Sequence, residues 1–199
     1  MTQIVLASGN KGKLAEFNQL FNQYKVQVLP QSEFDVPSVA ETGTTFVENA
    51  IIKARHAAEF CKSPTISDDS GIEVDALNGQ PGIYSARYSG ENATETSNYE
   101  KLLEALKNVE ARSARFQCVL IYMRHAKDPT PIIAQASWEG TIAYEADGNG
   151  GHGYDPIFIP EGSSQTVAHM DAQHKNSISH RGKALALLID ALKQQKIIG

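Results

Sequence analysis

Two successive aspartates, Asp68-Asp69, followed by Ser70-Gly71, are the residues of this chain best suited to hold a hard cation. Adjacent carboxylates repel, a cost relieved by a solvated turn or by a cation between them, and magnesium prefers such oxygen ligands. They follow a strand-like run, Thr65-Ile66-Ser67, and therefore predict an acidic turn; an ordinary Asp-rich turn is the competing reading. Glu41 offers another carboxylate from a neighbouring loop. A second constellation is Ser8-Gly9-Asn10-Lys11-Gly12-Lys13, between a strand-like run and a helical pattern. Helix N-termini present free N–H groups and partial positive charge, glycines let the backbone approach an anion, and lysines add charge. The spacing is not that of a Walker loop, and a basic strand-to-helix turn is often only a turn.

Three weaker signals accompany these. Asn49 and Lys53 lie one helical turn apart, a solvated face or a phosphate contact. Gly150-Gly151-His152-Gly153-Tyr154-Asp155-Pro156 could wrap a planar ring or simply form a surface hairpin. Lys175 and then Ser179-His180-Arg181-Gly182 open the last helix, where cations are disfavoured by the helix dipole unless they face an anion or an electron-rich atom. Together these groups suggest a polyphosphate, a metal and a ring, a combination shared by kinases, hydrolases and binding proteins.

Hydrophobic periodicity predicts the elements that must position them. The run Ile4–Ser8 and residues Val26–Leu29 read as strands; Leu14, Phe17, Leu20 and Phe21 mark a helix from Lys11. Residues 31–43 read as a loop. Thr45 and Glu48 have the spacing of a capping box opening a helix with a small apolar stripe (Phe46, Ala50, Ala54, Ala57, Ala58) and a polar stripe (Asn49, Lys53, His56) that stops before Pro64. Tyr99, Leu102, Leu103 and Leu106 mark another helix, Ala114–Met123 and Ile132–Ile142 two strands with a long connection, and Leu185, Leu188, Ile189 and Leu192 a closing helix capped by Ser179. The pattern predicts an α/β or α+β protein with a mixed sheet.

With 199 residues the chain suits one domain, or one domain with two lobes, and 41% hydrophobic residues can fill a sizeable core. A formal charge of −5 argues against a nucleic-acid coat, which needs a basic surface, but not against a local anion pocket. Cys61 and Cys118 sit among apolar residues without a Cys-x-x-Cys pair and predict buried, reduced thiols. Neither a signal peptide nor a membrane-length apolar run is visible, which predicts a soluble cytoplasmic protein.

The order of these segments resembles the inosine-triphosphate pyrophosphatase family in its bacterial form. The resemblance runs almost end to end: Ser8–Lys13, Glu41-Thr42-Gly43, Phe46–Ala54, Asp68–Gly71, Pro81–Gly90, Gly153–Phe158 and Ile178–Gly182. It implies an α/β fold with an elongated, twisted mixed sheet flanked by helices, and a single domain over 1–199 with two lobes around an active-site cleft. It implies a homodimer, a magnesium ion, and hydrolysis of dITP, ITP or XTP to the monophosphate and pyrophosphate. Carried over by position, Ser8, Gly9, Asn10, Lys11, Gly12 and Lys13 hold the triphosphate with Lys53 and Asn49. Glu41 and Asp69 bind magnesium, Asp69 acts on the attacking water, Asp68 supports it, and Ser70 touches substrate. His152, Gly153, Tyr154 and Asp155 line the base pocket, while Lys175, His180 and Arg181 close over base and phosphates; Arg87 assists at the phosphates or the dimer contact. The chain departs from the family at His152, where a stacking Phe is usual, and at His174, where an acid is common, which bears on base affinity and pH optimum. A Maf-type pyrophosphatase acting on pyrimidine or modified nucleotides is the alternative. A non-catalytic nucleotide sensor would not need Asp69 and Glu41, and the acidic charge disfavours an RNA-binding module.

Overall fold

The computed structural model describes residues 2–199, in which six strands and five α-helices are joined by loops and short 3-10 turns. The elements run β1 (Thr2–Leu6), α1 (Lys11–Phe21), β2 (Val26–Pro30), α2 (Phe46–Cys61), β3 (Thr65–Val74), α3 (Glu95–Ala105), β4 (Ser113–Met123), β5 (Ile132–Ile142), β6 (Phe158–Pro160), α4 (Ala172–Ile178) and α5 (His180–Gln194). The strands hydrogen-bond in the order β2-β1-β3-β4-β5-β6. β1 pairs in parallel with β2 and β3, with Val5 opposite Leu29 and Thr65, while β5 and β6 are antiparallel. The mixed sheet expected from the sequence is therefore present, and helices alternate with the parallel strands as such connections require.

The chain divides into two compact units: the first comprises the chain up to Asp69, Val119–Gln135 and Ala184–Gly199, the second Ser70–Cys118 and Ala136–Lys183. β3, β4 and β5 each pass from one into the other. In the first unit Ile4, Val5 and Leu6 of β1 are fully buried, so the run reads as continuously apolar rather than alternating. Phe17 and Phe21 of α1 are also buried, one turn apart with parallel rings. The predicted capping box opens α2: Thr45 Oγ1 accepts from the Glu48 amide and the Glu48 carboxylate from the Thr45 amide. Ala50, Ala54, Ala57 and Ala58 supply its buried stripe, and Lys62 ends the helix in the left-handed conformation.

In the second unit Ile72, Val74, Leu102, Leu106, Phe116, Trp138, Ile157 and Phe158 form one apolar cluster. Both cysteines are buried and unbridged, as predicted. Among the described residues no helix is long and apolar enough to cross a membrane.

The structure corrects the sequence reading at three places. β3 continues through ten residues, so Asp68-Asp69-Ser70-Gly71 lies inside a strand rather than in a turn after one. The loop at 31–43 begins with a 3-10 turn, Gln31–Phe34. A short helix, α4, precedes the last one; Asp171 caps it, and Ser179 both ends α4 and, through Oγ, accepts the Gly182 amide of α5.

The connection between β4 and β5 carries a carboxylate the sequence did not single out. Asp128 is 2% exposed and accepts the Arg124 and Thr130 amides and the Arg124 guanidinium. Hydrogen bonding from Arg124 outweighs burial and holds this carboxyl well below its ordinary value. A folded-state pKa below the unfolded one contributes stability that is complete above the unfolded value and is lost as pH falls toward the folded one. Wild-type stability should therefore fall from about pH 4 downward partly through this group. Asp128→Asn should cost about 1–2 kcal/mol at neutral pH and flatten that acid limb. Urea unfolding at pH 7 and pH 3 measures both, and an unchanged acid limb in the variant would refute the assignment.

Candidate active site

The first unit gathers five charged side chains around the start of α1 and the middle of β3. Lys13 Nζ lies 2.6 Å from Asp68 Oδ1. Lys53 Nζ lies 2.6 Å from Asp69 Oδ1 and 3.2 Å from Glu41 Oε1, and it also donates to the Asp68 carbonyl. The local sequence explains the placement. Strand residues 68 and 69 point to opposite faces, so consecutive aspartates are separated and each finds its own lysine. Asp68 and Asp69 are 2% and 8% exposed, possible for carboxylates only because they are paired. Lys53 comes from the polar stripe of α2, and the alternative reading of that stripe as a solvated face is not met: Asn49 on the same stripe is fully buried.

Three carboxylates thus face two ammonium groups. Burial alone would lower the Lys53 pKa, but Asp69, Glu41 and Asp68 outweigh it and hold the ammonium above its ordinary range. Asp69 moves upward: burial raises it, Lys53 offsets part of this, and Glu41 and Asp68 add to the rise. Three carboxylates against two ammonium groups leave the cluster short of positive charge, an arrangement that accommodates a further cation. Asp69 Oδ2 is buried and has no hydrogen-bond partner among the described residues.

Those residues contain no group of three or more His, Cys, Asp or Glu side chains spaced as a metal cage. Magnesium, however, is commonly held by one or two carboxylates together with water and substrate phosphates. Glu41 and the unpartnered oxygen of Asp69 fit that demand.

The start of α1 borders the same cluster. Asn10 caps the helix, its Oδ1 accepting the Lys13 amide, and Ser8 Oγ accepts the Asn10 amide. Gly9, Asn10, Lys11 and Gly12 are exposed. A pocket of about 270 Å³ is lined by Ser8, Gly9, Lys13, Glu41, Lys53 and Asp68, together with Gln31, Pro37 and His56, for which no binding role was read from the sequence. The loop contributors carry no periodic signal.

The second unit gathers the other predicted residues. Asp155 is 2% exposed; its Oδ2 accepts Lys175 Nζ at 2.5 Å and the His152 amide at 2.8 Å. Gly151 has φ +75°, and a side chain there would strike the Asp155 carboxylate, so the loop requires glycine. Tyr154 is buried and its hydroxyl donates to the Ser85 carbonyl. His180 is 7% exposed and stacks on Phe116 with ring centroids 4.8 Å apart, near parallel, with Trp138 also in ring contact. Gly153 and Arg181 are half-buried, and Ser70 is half-buried on β3. The His152 side chain has an exposed edge, yet partial desolvation and then Lys175 lower its pKa, so the ring is neutral at pH 7.

Fold and site together define an α/β protein whose paired buried carboxylates and lysines border a helix N-terminus, chemistry suited to a phosphate chain and a divalent cation. The sequence profile of the Ham1 family matches residues 4–191, and the chain belongs to that family. It is 65% identical over 198 residues to a dITP/XTP pyrophosphatase of Shewanella oneidensis, covering 99% of this chain and 97% of that protein. A dITP/XTP pyrophosphatase of Escherichia coli strain K12 is 52% identical over 97% of this chain and 99% of its own. The structure of a HAM1 protein from Coxiella burnetii superposes with a TM-score of 0.94 at 49% identity, over 98% of this chain and 100% of that one.

Proposed function

We propose that this chain hydrolyses non-standard purine nucleoside triphosphates, dITP/ITP and XTP/dXTP, to the monophosphate and pyrophosphate, and so cleanses the nucleotide pool. The observation that carries the reading is the buried Asp69 carboxylate, with one oxygen on Lys53 and the other without a hydrogen-bond partner among the described residues. Glu41 and Asp69 would hold magnesium, which when bound neutralises phosphate charge and polarises the phosphoryl oxygens. Ser8, the backbone of Gly9–Gly12, Lys13 and Lys53 bind and orient the triphosphate. Asp69 orients a water and accepts its proton as the oxygen attacks the α-phosphorus; the bond to the bridging oxygen breaks and pyrophosphate leaves with its electron pair. Little covalent work falls to the protein in such a transfer, so positioning and charge account for most of the rate.

The second-unit residues are assigned to the purine. Arg181, a donor, suits a 6-oxo group and repels the 6-amino donor of adenine. The neutral His152 ring offers a stacking face with less area than a phenyl ring. Lys175 is held by Asp155, and His180 by its aromatic neighbours. A cytoplasmic location and a homodimer belong to the same proposal and rest on the family resemblance.

The test is magnesium-dependent turnover of dITP, XTP, dGTP, dATP and dTTP side by side, with products resolved. Selective release of pyrophosphate from dITP and XTP is expected. Preference for dTTP would turn the reading toward the pyrimidine alternative, and release of inorganic phosphate would mean that a different anhydride bond is cut.

A further inference from the structure

The polar stripe of α2 grips the loop that carries Glu41 at three successive points. Asn49 Oδ1 accepts the Gly43 amide at 2.9 Å, Lys53 Nζ meets Glu41 at 3.2 Å, and His56 Nε2 lies 2.9 Å from the Pro37 carbonyl. The helix reads 49, 53, 56 while the loop reads 43, 41, 37, so the two run in opposite directions and zip together. The spacing of four and then three keeps all three side chains on one helix face. Residues 36–43 belong to neither helix nor strand, so side chains must do the holding. The near end is tight: a side chain at Gly43 would lie 2.5 Å from Glu48 Cβ and 2.8 Å from Asn49 Oδ1. The far end depends on His56. The Pro37 carbonyl can only accept, so Nε2 carries the hydrogen, and the ring is braced against Phe60, with centroids 4.8 Å apart.

We infer that His56 is a positioning residue for the metal site: by holding Pro37 it fixes the far end of the 37–43 loop and so sets the Glu41 carboxylate beside Asp69. This rests on the reading of Glu41 as a metal ligand. Without the His56 contact the side chains of α2 would hold the loop at Gly43 and through the Lys53–Glu41 pair, but not at Pro37, and the entropy of ordering the far end would be drawn from metal binding. Outer partners that orient metal ligands typically matter by about 10- to 100-fold in metal affinity.

The experiment is Mn²⁺ binding to the full chain without nucleotide, following free Mn²⁺ by electron paramagnetic resonance, for wild type, His56→Ala, His56→Gln and Glu41→Gln, with thermal unfolding of each. His56→Ala should bind Mn²⁺ about tenfold more weakly, with an unfolding temperature close to wild type. His56→Gln, which keeps a donor, should recover most of the loss, and Glu41→Gln should bind at least as weakly as His56→Ala. If Glu41→Gln weakens binding but His56→Ala does not, the inference fails and the ligand assignment stands. If Glu41→Gln binds as wild type does, the ligand assignment itself fails. Equal weakening in both His56 variants, or a shared drop in unfolding temperature, would show that the ring acts through general packing and would also overturn the inference.

Discussion

Asp69→Asn should lower kcat for dITP hydrolysis by about 10³-fold while leaving the protein folded. Asparagine has nearly the shape of aspartate and retains a carbonyl oxygen for Lys53, which now lies 2.6 Å from Oδ1. The change removes the negative charge that burial and the neighbouring Glu41 and Asp68 already disfavour. Folding should therefore tolerate the amide, and unfolding temperature should stay within a few degrees of wild type. Catalysis should not tolerate it. An amide neither accepts a proton from water nor matches a carboxylate as a magnesium ligand, and general-base catalysis alone typically contributes about 10²–10⁴-fold. Pyrophosphate release under saturating dITP and magnesium measures the effect. Activity within tenfold of wild type would place the proton acceptor elsewhere.

Arg112→Ala should produce the largest loss of stability, about 3–4 kcal/mol, because several buried carbonyls lose their donor together. The residue is 6% exposed. Its Nε donates to the Ile142 carbonyl at 2.9 Å, Nη1 to Leu106 at 2.7 Å, and Nη2 to Ala143 at 2.7 Å. The Leu106 carbonyl lies just past the last residue of α3, where helix carbonyls lack internal partners and a cation is favoured. The same guanidinium stands over the Tyr144 ring, 4.5 Å from its centroid. Burial lowers the Arg112 pKa, yet guanidinium remains charged at any ordinary pH. For a chain of this size the loss should lower the melting temperature by roughly 6–16 °C. Arg112→Lys should recover little, since a single ammonium cannot reach carbonyls spread around a planar fork. Thermal unfolding of both variants decides it, and a lysine variant as stable as wild type would mean that charge, rather than the fork, is what the site requires.

The sequence by itself carried the elements and the kinds of chemistry. Helical spacing of apolar residues located α1, α2, α3 and α5, because a 3.6-residue period with one buried face leaves a one-dimensional trace. The capping box at Thr45 and Glu48 was equally legible, because both partners lie within one turn. The order of the short motifs from Ser8–Lys13 to Ile178–Gly182 pointed to the family, and the comparisons bear that out.

Other features needed the folded chain. The aspartates at 68 and 69 read as a turn, since local preference puts adjacent acids in solvent. Only distant partners, Lys13 fifty-five residues away and Lys53 sixteen away from its aspartate, make a buried strand position tolerable. Arg112 gave no signal, because its partners are backbone carbonyls, which every residue has and no sequence marks. His56 was visible as part of a stripe, but its work depends on where the Pro37 carbonyl comes to rest. Local patterns are written in residue types at short spacing; pairing over long separations is set by packing, and it is packing that decides which charged groups can be buried and what they hold in place.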